Sequence, residues 1–133
     1  MKSEKIELTE IIHCTAKKLY NAWLTTEEHA AFTGAKAKIS NKPGGKFMAS
    51  DGYIRGENIE LENEKRILQS WRTSDFPENA DDSLLEVIFE DVKQGCKLTI
   101  IHWNIPEGQH KMYADSWNEY YLKPMKEYYD KMH

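Results

Sequence analysis

The chain has 133 residues, with 18 Lys and Arg against 22 Asp and Glu, a net charge of −4 and a pI near 5.7. That balance excludes a general nucleic-acid binder, whose domain is normally basic, and no apolar run approaches the roughly 20 residues needed to span a bilayer. The length suits one domain over residues 1–133 with one buried core, and seven Tyr, four Trp and four Phe exclude disorder.

The N-terminus, MKSEKIELTEII, has no apolar signal core and no small-residue cleavage site, so a cytoplasmic location is expected. Residues 3–13 read as a strand, with Ile6, Leu8 and Ile12 on one face and charges between them. Thr15 is placed to cap a helix carrying Ala16, Leu19, Tyr20 and Trp23 at helical spacing. Thr26 is expected to cap a second short helix through Phe32, which Gly34 ends. Six strands follow, at about 35–40, 45–50, 53–62, 66–73, 83–91 and 95–103. The turns between them carry Asn41–Gly44, Asp51-Gly52, Asn63–Lys65, a longer loop at Ser74–Asp82, and Lys93–Gly95, the spacing of an antiparallel sheet. From about Lys111 to the end, Tyr113, Trp117, Tyr120, Tyr121, Met125, Tyr128, Tyr129 and Met132 recur at intervals of three and four, a wide apolar stripe. Pro124 lies inside it and is expected to kink or loosen the helix. A sheet apolar on one face needs a cover, and this helix supplies it. The fold class is therefore α+β: a curved antiparallel sheet of about seven strands, two short helices after the first strand, and a long C-terminal helix packed across the sheet.

The glycines of the central segment sharpen the picture. Gly44-Gly45-Lys46-Phe47, Asp51-Gly52 and Gly56 precede Leu61, Glu64-Lys65, Ile67 and Trp71-Arg72. Ala22-Trp23, Ala31-Phe32-Thr33, Gly95, Leu98, Ile105-Pro106, Trp117 and Tyr120-Tyr121 complete an ordered set from about Ile6 to Tyr129. This set resembles the domain shared by activators of the heat-shock protein 90 ATPase and their stand-alone bacterial relatives. That domain belongs to the helix-grip superfamily of START-like and Bet v 1-like proteins. The resemblance implies that strands one and seven pair, which would bring Cys14 near Cys96; buried reduced thiols are expected. It also implies that the eukaryotic activators carry a further N-terminal domain with much of the chaperone contact, whereas this chain opens at the first strand of the C-terminal type.

Two sites are expected. The first is a cavity between the terminal helix and the sheet for a small apolar or amphipathic molecule, lined by Phe32, Phe47, Ile67, Trp71, Val87, Phe89, Ile100, His102, Trp117 and Tyr121. His102 shares a strand face with Leu98 and Ile100 and needs a polar partner such as a Tyr, Ser70, Gln69 or a ligand. His102 or Tyr121 would orient the bound molecule, and Phe76 in the acidic loop would plug the mouth. The second is a basic segment, Lys36, Lys38, Lys42 and Lys46 with Arg55 nearby, which would steer an acidic partner or simply keep an edge strand soluble. The resemblance implies that this surface meets heat-shock protein 90, the alternative reading of function. No catalytic residue, cofactor or metal is expected: GxSxG, HExxH and phosphate-loop lysine motifs are absent, and no Cys or His pair has ligand spacing; the resemblance leaves a cyclase- or hydratase-like enzyme as a third reading of function, since some helix-grip relatives are such enzymes. An exposed edge strand would permit a homodimer as well as a monomer.

Overall fold

The computed structural model describes residues 3–131. The order is β1 (Ser3–Ile12), α1 (Ala16–Trp23), α2 (Thr26–Thr33), β2 (Lys38–Ile39), β3 (Lys46–Ala49), a 3-10 turn (Ser50–Gly52), β4 (Ile54–Glu62), β5 (Arg66–Thr73), β6 (Ser83–Val92) and β7 (Gly95–Pro106). A C-terminal helix follows in three parts: α3 (His110–Ser116), a π-helical turn (Trp117–Leu122) and α4 (Lys123–Asp130). The strands form one antiparallel sheet in the order β1-β7-β6-β5-β4-β3-β2, curved around the long helix in the helix-grip arrangement.

Strict alternation builds the core. In β5 the side chains of Ile67, Gln69, Trp71 and Thr73 are buried, while their neighbours reach the opposite face. In β6 and β7 the buried rows are Ser83, Leu85, Val87, Phe89 and Cys96, Leu98, Ile100, His102. The apolar members of these rows form one cluster with Leu19, Trp23 and Phe32 from the short helices and Met125 and Tyr129 from the long one. Gly56 marks a close strand approach: a Cβ there would sit 1.9 Å from the Ser70 carbonyl oxygen.

The local signals act much as their chemistry requires. The Thr15 hydroxyl accepts the Lys18 N–H at 3.1 Å and caps α1. Gly34, at φ 77°, ends α2 in the left-handed region. Thr26 is not the cap of α2, however; Thr25 holds that position. The Thr26 hydroxyl instead accepts the Ile39 N–H at 2.8 Å and pins β2 to the helix. The strand expected over 35–40 contracts to Lys38–Ile39, paired with Met48 and Phe47. Its upstream half is tied to the 3-10 turn instead, with the Lys36 N–H donated to the Asp51 carboxylate at 3.0 Å and the Asp51 N–H to the Lys36 carbonyl at 3.1 Å. β7 runs on to Pro106 because β1 offers Ser3 and Glu4 as partners for Pro106 and Ile105. Pro124, which has no N–H to give the carbonyl four residues back, lies two residues after the end of the π turn, where the Lys123 N–H reaches the Asn118 carbonyl five residues back. The predicted stripe position Met132 lies outside the described residues.

Candidate functional site

The terminal helix does not close the sheet along its whole length. A cleft of about 410 Å3 opens between α3, the π turn, β5, the start of β4 and the segment after α2. Trp71, Tyr113, Trp117 and Tyr121 are its buried wall, with Tyr53 and Ile54 beside them. Met112 and Tyr120 stand at the mouth, 40% and 64% exposed. Trp71, Trp117 and Tyr121 are thus the expected cavity residues that line it. Phe32, Phe47, Ile67, Val87, Phe89, Ile100 and His102 lie in the packed core instead. Apart from Phe32, which sits on α2, they lie on the buried face of the sheet as expected; the apolar ones join Leu122, Met125 and Tyr129 in one packed cluster, and Phe47 also borders a second groove.

Two buried histidines fix the helix that forms the wall. His102 is fully buried, and the Trp117 indole N–H donates to its Nδ1 at 3.1 Å. Since an indole only donates, the proton of His102 must sit on Nε2, which then donates to Ser83 Oγ at 2.8 Å. The Ser83 hydroxyl in turn donates a hydrogen bond to the Trp71 carbonyl at 2.6 Å. Burial holds His102 neutral, its pKa depressed to about 3. Its partners are therefore Ser83 and Trp117 rather than Ser70 or Gln69. Ser70 faces the other side and accepts the Glu57 N–H, while Gln69 donates to Asn58.

The second histidine, His29, was not singled out from the sequence. It is 2% exposed, and its Nδ1 lies 2.9 Å from the Trp23 carbonyl, which only accepts, so Nδ1 carries the proton. Nε2 is then free to accept the Tyr121 hydroxyl at 2.7 Å. Burial depresses its pKa to about 4. Its helical spacing from Phe32, three residues on, was the available signal. Both nitrogens of His102 bond within the protein, so it is not free to orient a bound molecule, whereas the Tyr121 hydroxyl donates to His29 and keeps its acceptor lone pairs. Phe76 does not plug the mouth; it is buried against Trp71 and Tyr113, beneath the Arg72 guanidinium.

The outer sheet face carries a second, shallower groove. Its lining includes Lys38, Lys46, Met48, Arg55, Arg72 and Glu57. Cross-strand register explains the cluster: Lys38 opposes Met48, Met48 opposes Arg55, and Arg55 opposes Arg72. Arg72 bonds to Asp82 at 2.7 Å and to the Ala80 and Pro77 carbonyls, which secures the acidic loop. Among the described residues, Lys38, Lys46 and Arg55 take part in no ion pair. Lys36 and Lys42 are exposed but lie outside this groove. Elsewhere, Cys14 and Cys96 are both free thiols. Burial first, and then each other's proximity, pushes Cys14 up to about 12, and burial pushes Cys96 up to about 11. Among the described residues no helix is long and apolar enough to cross a membrane, and no group of three His, Cys, Asp or Glu is placed to hold a metal ion.

Comparisons with known proteins add the following. Residues 13–130 match the family described as "Activator of Hsp90 ATPase homolog 1-like protein". The human activator of 90 kDa heat shock protein ATPase homolog 1 is 31% identical over 123 residues, covering 92% of this chain but 36% of that protein. The chain thus spans about a third of the length of that curated relative. An HSP90 activator from Plasmodium falciparum superposes with a TM-score of 0.81 at 29% identity, covering 90% of this chain and 91% of that one. The Aha1 dimer from Colwellia psychrerythraea has the same fold, with a TM-score of 0.78 at 16% identity over 95% of this chain and 96% of that one.

Proposed function

The chain belongs to the Activator of Hsp90 ATPase homolog 1-like family, and from that premise we propose that it is a non-catalytic docking module for a chaperone of the heat-shock protein 90 class. The observation that carries this reading is the outer groove. In a chain of net charge −4, Lys38, Lys46 and Arg55, which take part in no ion pair among the described residues, gather around the exposed Met48 and outnumber Glu57 beside them. Such a patch attracts an acidic surface and offers an apolar contact once it arrives. The names of the human and Plasmodium relatives point to the same partner.

The test is titration of the cognate chaperone with the protein, following both binding and ATP turnover, at low and high salt. Binding that weakens with salt, and falls at least about ten-fold in a Lys38→Glu, Arg55→Glu variant, is expected. A chaperone whose turnover and mobility ignore the protein at every salt concentration would end the proposal.

The cleft favours a second reading, the binding of a small apolar molecule. At about 410 Å3 it falls in the range of small-molecule pockets, roughly 300–1,000 Å3, and six of its thirteen lining residues are aromatic. Native mass spectrometry of freshly purified protein tests it directly. A co-purifying small molecule released on denaturation supports the reading. Failure of a panel of apolar compounds to bind at millimolar concentration removes it.

A further inference from the structure

We infer that the cleft beside the π turn selects a hydrophobic organic cation, an aromatic or alkyl ammonium, over neutral and anionic molecules of the same skeleton. This rests on the reading of the cleft as a ligand site. The charge of the lining decides the class. Among the residues that line the cleft, Asp51 is the one charged group, and no Lys, Arg or His joins it. Six of the lining residues are aromatic: Tyr53, Trp71, Tyr113, Trp117, Tyr120 and Tyr121. Their rings do not stack as one slab. Trp71 and Tyr113 meet at 86° with centroids 5.1 Å apart, and Trp117 and Tyr121 at 61° with centroids 4.8 Å apart. Neighbouring rings of the lining are thus turned to different directions. A cation within about 6 Å of a ring centroid is drawn to its negative face, most strongly where water is displaced.

The carboxylate at the rim is held for this task by its backbone. Asp51 has φ 59°, in the left-handed region, and its Oδ1 accepts the Lys36 N–H at 3.0 Å. No ammonium or guanidinium lies within ion-pair distance of it among the described residues. It therefore presents a negative charge with no ion-pair partner among the described residues beside the aromatic wall, while Lys38, Lys46 and Arg55 line the groove on the opposite sheet face. All three ligand types gain burial and can meet the hydroxyls of Thr33, Ser50 and Ser116, but an anion is repelled by the carboxylate, a neutral molecule gains nothing from it, and a cation gains ring attraction and the carboxylate together.

The experiment is calorimetric titration of the intact protein with three naphthalen-2-ylmethyl probes ending in trimethylammonium, hydroxyl or carboxylate. The trimethylammonium probe is expected to bind about ten-fold tighter than the alcohol, with the carboxylate weakest. Asp51→Asn should cut the ammonium affinity about three-fold and leave the alcohol unchanged. Asn tolerates the left-handed backbone and keeps an oxygen for Lys36, so this variant folds as the parent does. Tyr120→Ala, at an exposed position, should weaken both probes and so places them in the cleft. Equal affinity of ammonium and alcohol, or a preference for carboxylate, overturns the cation selectivity while leaving the cleft as a ligand site. Absence of binding by all three overturns both.

Discussion

Two buried neutral histidines make the stability of this protein steeply dependent on pH in a window where no ordinary carboxylate titrates. His102 and His29 start from an ordinary value of 6.5 and are depressed by burial to about 3 and about 4. Each takes up a proton readily only after unfolding. The stabilisation is therefore complete above pH 6.5 and drains away as the pH falls toward the folded values. Between pH 7 and pH 5 the unfolded chain gains almost all of this proton uptake and the folded one almost none. The loss is about 2 kcal/mol per histidine, or about 4 kcal/mol for both. This result depends little on how deep the folded values lie, provided they are well below 5. It is a large part of the roughly 5–15 kcal/mol typical of a domain. Urea unfolding at half-unit pH steps should show the midpoint falling by about 2 M over this window, taking a slope of about 2 kcal/mol per M for a small protein. His29→Gln and His102→Gln should each halve the slope against pH, whatever their cost at neutral pH. A midpoint that stays flat from pH 7 to pH 5, or a double variant that falls as steeply as the parent, would refute the assignment of buried neutral histidines.

Trp117→Phe keeps the ring stack but removes the donor to His102, leaving a buried Nδ1 without a partner; a loss of about 1–3 kcal/mol is expected in thermal unfolding, and a melting curve unchanged from the parent would count against the network. Gly56→Ala drives a methyl into the Ser70 carbonyl at 1.9 Å, whereas Gly34→Ala meets nothing within 4 Å and bears only the left-handed backbone cost of about 1–2 kcal/mol. In urea unfolding the first should exceed about 3 kcal/mol and clearly outrank the second. Cys14, pushed up from 9.0 to about 12, holds about a thousand-fold less thiolate at pH 8 than an ordinary cysteine. Alkylation by iodoacetamide should be correspondingly slow in the native protein and fast in denaturant, as read by intact mass.

Periodicity was enough to find the architecture, because each element must bury one face. The alternation in β5, β6 and β7 and the three-and-four spacing of the terminal stripe place the core rows without reference to contacts. What periodicity cannot convey is depth along a face. Phe89 and Trp71 both point inward on neighbouring strands, yet only Trp71 reaches the cleft, because which inward residues the long helix covers depends on where it stops packing tightly. Polar pairings were hidden for a similar reason. The Ser83, His102 and Trp117 chain joins residues on two strands and a helix, and His29 meets Tyr121 across 92 positions of sequence. The basic groove was half visible. Lys38 and Lys46 stood out by charge, but their alignment with Arg55 depends on the β2-β3-β4 register, and Lys36 left the set once its backbone was bound to the Asp51 turn.

The two candidate sites share their strands but not their side chains. Ile54 and Trp71 line the cleft, while Arg55, Ser70 and Arg72, their immediate neighbours in sequence, line the groove. Alternation puts these sets on opposite faces of one sheet layer, so a charge reversal at Arg55 changes the groove without entering the cleft. The reverse also holds: Tyr120 and Asp51 border the cleft and are absent from the groove. The faces meet through the paired backbones of β4 and β5 and through the Ser50–Gly52 turn, which follows β3 and is bound to Lys36 just before β2. For ligand in the cleft to alter docking at the groove, it must shift these two strands against each other or move that turn. The β4-β5 pairing and the two hydrogen bonds between Lys36 and Asp51 oppose both movements, so the geometry predicts two separable sites. Chaperone affinity measured with and without the naphthylmethyl ammonium probe should therefore agree within about two-fold, a difference of about 0.4 kcal/mol; a larger change would mean that the β4-β5 pairing or the turn yields and that the sites are coupled.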